Sequence, residues 1–401
     1  MGRFTQTDAV FDNEEVLTDG YTPDTLIARE DEMSTYVEVL QSVANGASPR
    51  NIFVYGDTGV GKTLATEMIL DELLEDQVEF DNVSVEVVWQ NCKDATSYQV
   101  ACHLVNHFRD RNQEIHTTGY PRSTVHRKLW EHIEDTDATH VLFVLDEIDS
   151  FRSDDELLYQ IPRAHTNGNI TETKIGLIGI SNNFKFRDEL SARVQSTLCE
   201  HEIHFKPYDA DQLQEILSQR ADEAFLDGAL SEEVIPLTAA KVAQRTGSAR
   251  EAINILSNAG FIARDNNDST ITDSHVTKAY HQVQSGVVKD ELEALPTQSH
   301  VVLYTVLSLA RQGRTPVRRK VIHDQYKTIA QQIGRDTVST RTLHRRLNQL
   351  SLKGFINLME VNKGSNGGSY YKYEFNADED IIADVLESES RVGQIIGQHA
   401  D

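Results

Sequence analysis

The first half of the chain is punctuated by short, nearly unbroken apolar runs at residues 51–55, 84–89, 139–145 and 174–180. Runs that are apolar at successive rather than alternate positions predict strands buried on both faces, and so a parallel sheet covered by helices. From about residue 209 the period changes. Leu213, Ile216 and Leu217 fall on one helical face, and Ile253, Leu256 and Ala259 or Gly260 on another, which predicts helices over 209–263. The cluster Asp265-Asn266-Asn267-Asp268-Ser269 reads as a loop, and a helix over 272–291 follows it. Further helices are predicted over 301–310, 322–333 and 339–352. The last is capped by Ser339 and carries the apolar stripe Leu343, Leu347 and Leu350. Residues 355–359 and 370–373 are β-rich runs around the polar tip 363–368, which predicts a hairpin with at least one of Tyr370, Tyr371 and Tyr373 in the core.

Chemistry enters where the first strand ends. Gly56-Asp57-Thr58-Gly59-Val60-Gly61-Lys62-Thr63 has the form of a phosphate-binding loop, and a helical run over 64–75 follows it. Its glycines let successive N–H groups curl inward at a polyphosphate, Lys62 adds a point charge for the β- and γ-phosphates, and the Thr63 hydroxyl can ligate Mg²⁺. The following helix turns its positive end to the same anion. The third strand ends in Asp146-Glu147-Ile148-Asp149. Asp146 suits a second Mg²⁺ ligand, and Glu147 is placed to polarise a water for attack on the γ-phosphate. A plain acidic turn after a core strand is the alternative, and its pairing with a phosphate loop makes that the minor reading. The expected activity is binding and hydrolysis of a nucleoside triphosphate, with ATP or ADP and Mg²⁺ as cofactors.

Composition changes the picture in two ways. The chain of 401 residues has room for two or three domains, and it holds 63 Asp and Glu against 38 Lys and Arg, a net of −25 with only 14 Lys. That balance suggests adaptation to high salt, where carboxylates keep the surface hydrated and their repulsion is screened within ~3 Å at 1 M. Cys92, Cys102 and Cys199 lack metal-ligand spacing, so a reducing, cytoplasmic setting without structural zinc is expected. No apolar run approaches the roughly 20 residues of a membrane span, and the polar N-terminus lacks a signal-peptide pattern, so no membrane partner is expected.

The charge is also unevenly spread. Residues 295–375 hold 13 Lys and Arg against 4 Asp and Glu, a net of +9, which leaves −34 on the remainder. A basic module on an acidic protein is the footprint of a polyanion site. Within it Arg341, Arg345 and Asn348 lie opposite the leucine stripe of the 339–352 helix, with His344 beside them. Such a face alone is usually just solvated. Helix, helix, basic helix and hairpin, however, is the order of a winged helix, whose third helix would enter a DNA major groove. Lys363 and Asn366 in the hairpin tip would then meet the backbone or a minor groove.

Taken together, these motifs resemble the origin-recognition and replication-initiator family of AAA+ ATPases in its archaeal single-subunit form, across residues 16–375. The resemblance implies an α/β AAA+ P-loop core over 11–206, a helical lid over 207–285 and a winged helix over 292–376; the residues over 377–401 read as an acidic tail, amphipathic at best. Tyr21-Thr22-Pro23-Asp24-Thr25-Leu26-Ile27-Ala28-Arg29-Glu30 is similar to the family's N-terminal box against the adenine, and Arg29, Glu30 and Tyr208 join the expected nucleotide contacts. Gly179-Ile180-Ser181-Asn182 resembles sensor 1, with Asn182 orienting the attacking water. Gly247-Ser248-Ala249-Arg250-Glu251-Ala252 resembles sensor 2, with Arg250 reaching the γ-phosphate from the lid. Leu190-Ser191-Ala192-Arg193-Val194-Gln195-Ser196 resembles the box of the trans-acting arginine, which implies Arg193 as a finger. Some relatives place a basic residue later in that box, where this chain has Thr197. A family insertion that touches DNA corresponds to about 116–124, with Thr118, Gly119 and Arg122 as contacts. The implied function is a nucleoid-associated, slowly hydrolysing ATPase that binds double-stranded origin DNA and helps load the replicative helicase, with other initiator subunits as further partners. A branch-migration motor and an ATP-switched transcriptional regulator combine the same parts and stay open at this level.

Overall fold

The computed structural model describes residues 9–151, 154–362 and 369–388. Contacts divide the chain into two compact units, one ending at Val276 and the other beginning at Thr277.

The first unit is built on five parallel strands: β1 (Ile52–Gly56), β2 (Val85–Asn91), β3 (His140–Asp146), β4 (Lys174–Ser181) and β5 (His201–Phe205), in the order β2-β3-β4-β1-β5. β3 is buried at every position, as its unbroken apolar run requires. Around the sheet run α1 (Glu30–Ala44), α2 (Lys62–Asp76), α3 (Ser97–His107), α4 (Arg122–Glu134) and the short helices α5 (Glu156–Gln160), α6 (Phe186–Glu189) and α7 (Ala192–Leu198). Phe143, Leu145 and Leu177 of the sheet form one core with Leu104, Leu129, Ile133 and Leu198 of the helices. The apolar runs at 51–55, 84–89, 139–145 and 174–180 are all strands. β5 escaped the apolar-run criterion because it is an edge strand, where polar His201, Glu202 and His204 alternate with buried Ile203 and Phe205.

Three helices close this unit above the carboxyl end of the sheet: α8 (Ala210–Ala224), α9 (Val234–Ala243) and α10 (Ala249–Asn266). Asp209 opens α8 with a capping box to Gln212, which explains the break from the sheet at this point. The amino-terminal segment straps across them. Asp12 and Asn13 donate their N–H groups to the Ala224 carbonyl, Phe11 stacks on Phe225 at 5.0 Å, and Arg220 donates to the Val16 carbonyl. Gly260 permits this seating, since a Cβ there would lie 2.4 Å from the Phe11 ring.

Helix α11 (Asp273–Glu293) begins before the division and continues into the second unit, which contains α12 (Thr297–Arg311), β6 (Val317–Arg318), α13 (Arg319–Gln332), α14 (Thr340–Leu352), β7 (Ile356–Asn362), β8 (Ser369–Phe375) and α15 (Glu379–Ser388). β7 and β8 form the antiparallel hairpin, and β6 adds to the outer side of β8. Ser339 caps α14 by accepting the Thr342 N–H, and Leu343, Leu347 and Leu350 are fully buried. Tyr373 is the wing tyrosine in the core, whereas Tyr371 stays exposed. The stretch read as an acidic tail supplies α15, whose Ile381, Ile382, Val385 and Leu386 are buried in the same core. Its acidic residues mask an amphipathic face that needs α12 as a partner.

Because Leu386 is fully buried in that core, Leu386→Ala in the full chain should cost about 2–5 kcal/mol in the unfolding of the second unit. Denaturant unfolding at constant high salt measures it. A cost below ~0.5 kcal/mol, the scale of a surface change, would mean that α15 is not part of the core.

Candidate nucleotide site and basic module

A cavity of about 800 Å³ opens at the carboxyl ends of β1, β3 and β4, under α10. The loop joining β1 to α2 forms its floor. Gly59 and Gly61 take φ of +78° and +93°, a left-handed conformation natural to glycine, and Gly61 is the residue from which α2 starts. Gly56 is needed for a different reason, because a Cβ there would lie 2.3 Å from the Phe205 carbonyl oxygen of β5. Val60 is fully buried and pins the crest of the loop. Thr58, Gly59, Gly61, Lys62 and Thr63 line the cavity, whereas Gly56, Asp57 and Val60 shape the loop from behind.

Lys62 bends back across the loop and donates to the carbonyls of Gly56 (2.9 Å) and Asp57 (2.7 Å). Burial pushes its ammonium down to about 8, against the opposing pull of nearby carboxylates and with a further push from the Arg250 charge. Thr63 Oγ1 donates to Asp146 Oδ2 at 2.8 Å, and the Glu147 N–H donates to Asp146 Oδ1 at 2.8 Å. A hydroxyl beside a buried carboxylate is a hard-oxygen donor set that suits Mg²⁺. Among the described residues no group of three or more His, Cys, Asp or Glu could hold a metal ion alone. A divalent ion here would therefore complete its shell with phosphate and water. Glu147 takes a left-handed φ of +56°, an uncommon state for a side chain with a Cβ, and it lines the cavity.

Asn182 also lines the cavity, its N–H held by Asp149 Oδ1 at 3.0 Å. Asp149 also accepts from Ser181 Oγ, so it fixes the turn after β4. Its role was readable only as a third acid after β3, because its partner lies in another strand. Arg250 arrives from α10, which rests directly on the phosphate loop: the Arg250 N–H points at the Gly59 carbonyl (3.4 Å), and a Cβ on Gly59 would lie 2.2 Å from Ser248 Oγ. Residues Leu17 to Pro23 and Thr25 to Ile27 form a further wall with Tyr208.

Arg29 and Glu30 are not in that wall. Arg29 is buried behind the loop, donating to the carbonyls of Val60 (3.2 Å) and Lys206 (2.6 Å), paired with Glu32, and lying 3.8 Å from the centre of the Tyr208 ring. In this position it braces the loop from behind. Glu30 is exposed in the first turn of α1. Arg193 also lies outside the cavity, over the Tyr159 ring at 4.7 Å and 3.8 Å from Asp155.

In the inserted stretch, Thr118 and Gly119 are exposed in the loop between α3 and α4, and the Tyr98 hydroxyl fastens that loop by donating to the Tyr120 carbonyl. Arg122, at the start of α4, is engaged within the fold. It grips both oxygens of Asp154 (2.8 and 2.9 Å) and Glu156 (2.9 Å), and these carboxylates push its pKa up. These pairs latch the start of α4 to the segment before α5.

In the second unit Arg341 and Arg345 are exposed on α14, while His344 is half-buried, its Nδ1 3.2 Å from the Tyr373 hydroxyl. Lys363 and Asn366 lie outside the described residues. A further basic cluster went unassigned in the sequence reading. Arg318 pairs with Lys372 across β6 and β8 and lies 3.9 Å from the Tyr370 ring centre, and exposed Arg319 and Lys320 open α13. The run Arg318-Arg319-Lys320 was a visible signal, but the two-residue strand that aligns it with the wing was not. Among the described residues no helix is long and apolar enough to cross a membrane.

Comparison with known proteins covers nearly the whole chain. The family model "AAA ATPase domain" matches residues 25–170, "Cdc6 AAA+ ATPase-type lid domain" matches 214–281, and "CDC6, C terminal winged helix domain" matches 290–385. ORC1-type DNA replication protein 1 of Haloarcula marismortui is 47% identical, over 98% of this chain and 96% of its own length. An ORC1-type DNA replication protein of Pyrococcus abyssi is 38% identical over 89% of this chain and 85% of its own. Among solved structures, the ORC1 protein of Aeropyrum pernix in complex with DNA matches with a TM-score of 0.75 and 30% identity, over 97% of this chain and 100% of that one. The acidic composition accords with the haloarchaeal relatives. With the phosphate loop, the lid seated on it and the winged helix all matched in order, the chain belongs to the archaeal Orc1/Cdc6 family of ORC1-type DNA replication proteins.

Proposed function

We propose that this protein binds ATP or ADP with Mg²⁺ in the cavity between sheet and lid, hydrolyses ATP slowly, and uses its winged helix to hold duplex DNA at replication origins, where it helps load the replicative helicase. The observation that carries the nucleotide reading is the convergence of Lys62, the Thr63–Asp146 pair, Glu147, Asn182 and Arg250 on one cavity. Lys62 would exchange its loop carbonyls for phosphate oxygens. Thr63 and Asp146 would hold Mg²⁺, which neutralises charge on the phosphates when bound. Glu147 would accept a proton from the attacking water while Asn182 orients it. Arg250 would couple the terminal phosphate to the lid, so that hydrolysis changes how α10 rests on Gly59.

The DNA reading is supported by the +9 balance of residues 295–375 and by exposed Arg341 and Arg345 on a helix anchored by its leucine stripe. Arg318, Arg319, Lys320 and Lys372 extend the basic surface for phosphate contact. It is further supported by the Aeropyrum pernix relative, which was solved with DNA. The ORC1-type names of the relatives favour an initiator over a motor or a promoter-bound regulator. Thr118, Gly119 and Arg122 are the residues through which the insertion would touch DNA, and Arg193 would act on a neighbouring subunit.

In the nucleotide site, Lys62→Ala should abolish ATP binding, whereas Glu147→Gln should keep binding and stop turnover, because the first acts in the ground state and the second only when water attacks. Calorimetric titration and phosphate release separate the two effects. Turnover by Glu147→Gln within a few-fold of wild type would remove Glu147 from the chemistry.

Affinity should also depend on pH in a defined direction. With its pKa lowered from 10.5 to about 8, Lys62 loses its proton as pH rises through that value, while the phosphate requires the ammonium. Above about pH 8 binding must therefore take up a proton, and affinity should fall by up to tenfold per pH unit. Titrations in buffers of different ionisation enthalpy detect the uptake, and a flat profile to about pH 10, close to the ordinary lysine pKa, would contradict it.

On DNA, Arg341→Ala or Arg345→Ala should weaken specific binding by about 1–3 kcal/mol, with relaxed preference at one base pair if the side chain reads a base edge. Binding measured in matched salt that is untouched by both changes would refute DNA contact through α14.

A further inference from the structure

Arg250 already has a partner in the cavity. Its Nε lies 3.3 Å from Asp19 Oδ1, and both residues line the same space as Lys62, Thr63 and Glu147. Asp19 is not on a loose arm. The strap that carries it is tied down on one side where Arg220 donates to the Val16 carbonyl and on the other where the Tyr21 hydroxyl donates to Glu223. Between these ties, the Thr18 N–H bonds to the Glu15 carbonyl and the Tyr21 N–H to the Thr18 carbonyl, which closes a turn around Asp19. The backbone of Arg250 is equally fixed, at the N-terminal turn of α10 against Gly59. The Arg250 side chain is the part free to move. A long guanidinium arm between two fixed points can choose between two anions, the carboxylate or a phosphate.

We propose that Asp19 is a positioning residue that parks Arg250 away from the phosphates until a terminal phosphate claims it, so that it sets the preference of the site for nucleoside triphosphate over diphosphate. This rests on the nucleotide reading above. The exchange is purely ionic: one guanidinium–carboxylate pair opens and one guanidinium–phosphate pair forms, with no bond broken and no proton moved. A diphosphate lacks the group that would draw Arg250 across and leaves the Asp19 pair in place. A triphosphate must open the pair, and so it alone bears the cost of parting the ions. Both partners are well exposed, at 59% and 79% of their side-chain surface, so the pair is weak and easily exchanged. A switch that ATP must operate has to be weak.

The test is Asp19→Asn, which keeps the size of the side chain and removes its charge. Binding of ADP and of a non-hydrolysable ATP analogue, both with Mg²⁺, is titrated calorimetrically at the lowest salt that keeps the full chain folded. Asp19→Asn should tighten the ATP analogue about two- to fivefold, the range expected for an exposed ion pair, and leave ADP unchanged. In an Arg250→Ala background the same substitution should change neither ligand. Equal tightening of both nucleotides, or a gain that survives in Arg250→Ala, would overturn the proposal, since Asp19 would then act only by repelling phosphate. No change in either ligand would overturn it too. Failure of the wild-type chain to bind any nucleotide would instead refute the nucleotide reading itself, a distinct result.

Discussion

The buried guanidinium of Arg29 is the interaction on which the site depends. It joins four parts of the chain: the Val60 carbonyl in the phosphate loop, the Lys206 carbonyl where the chain leaves β5, Glu32 in α1, and the face of Tyr208 at the approach to α8. A cation with 3% of its surface exposed is costly unless its donors are satisfied, and here carbonyls, a carboxylate and a ring satisfy them. Once this arrangement is made, the loop crest, the last strand and the first lid helix share one anchor. Lys62 faces its own loop carbonyls, and Thr63 meets Asp146.

Close approach is the second constraint. The loop touches β5 at Gly56 and the lid at Gly59, and at both points a methyl group would overlap an atom of the neighbour. These glycines thus serve packing as well as the curl around phosphate. The lid is in direct contact with the loop, so under the proposed function a change at the terminal phosphate would have a short mechanical path to α10 through Arg250. The strap over α8 holds Asp19 beside Arg250 at the same point.

Electrostatics divides along the chain more sharply than its net charge suggests. A remainder of −34 carries a module of +9, and even inside the acidic part individual cations are used locally, as Arg122 is with Asp154 and Glu156. Arg341, Arg345, Arg318 and Lys320, in contrast, are exposed on the basic module. In the high salt that the composition implies, long-range repulsion fades and only near contacts retain direction. Binding specificity under those conditions would rest on short, well-positioned cations.

The sequence by itself determined whatever depends on local period and spacing. Apolar runs marked β1 to β4, the leucine stripe marked α14, Ser339 marked its start, and the phosphate loop and the Asp146-Glu147 pair were legible because strand, turn and helix are contiguous there. Tertiary structure decided what depends on partners distant in the chain. β5 and β6 needed their neighbours to be strands, since an edge strand has little apolar signal of its own. α15 looked like an acidic tail until α12 offered its apolar face a core. Arg29 and Arg122 read as ligand contacts from their sequence neighbours, and only the fold brings in the carbonyls and carboxylates that each engages. The physical reason is the same each time. A side chain's identity sets what it can bind, and only the fold sets which of its possible partners arrives first.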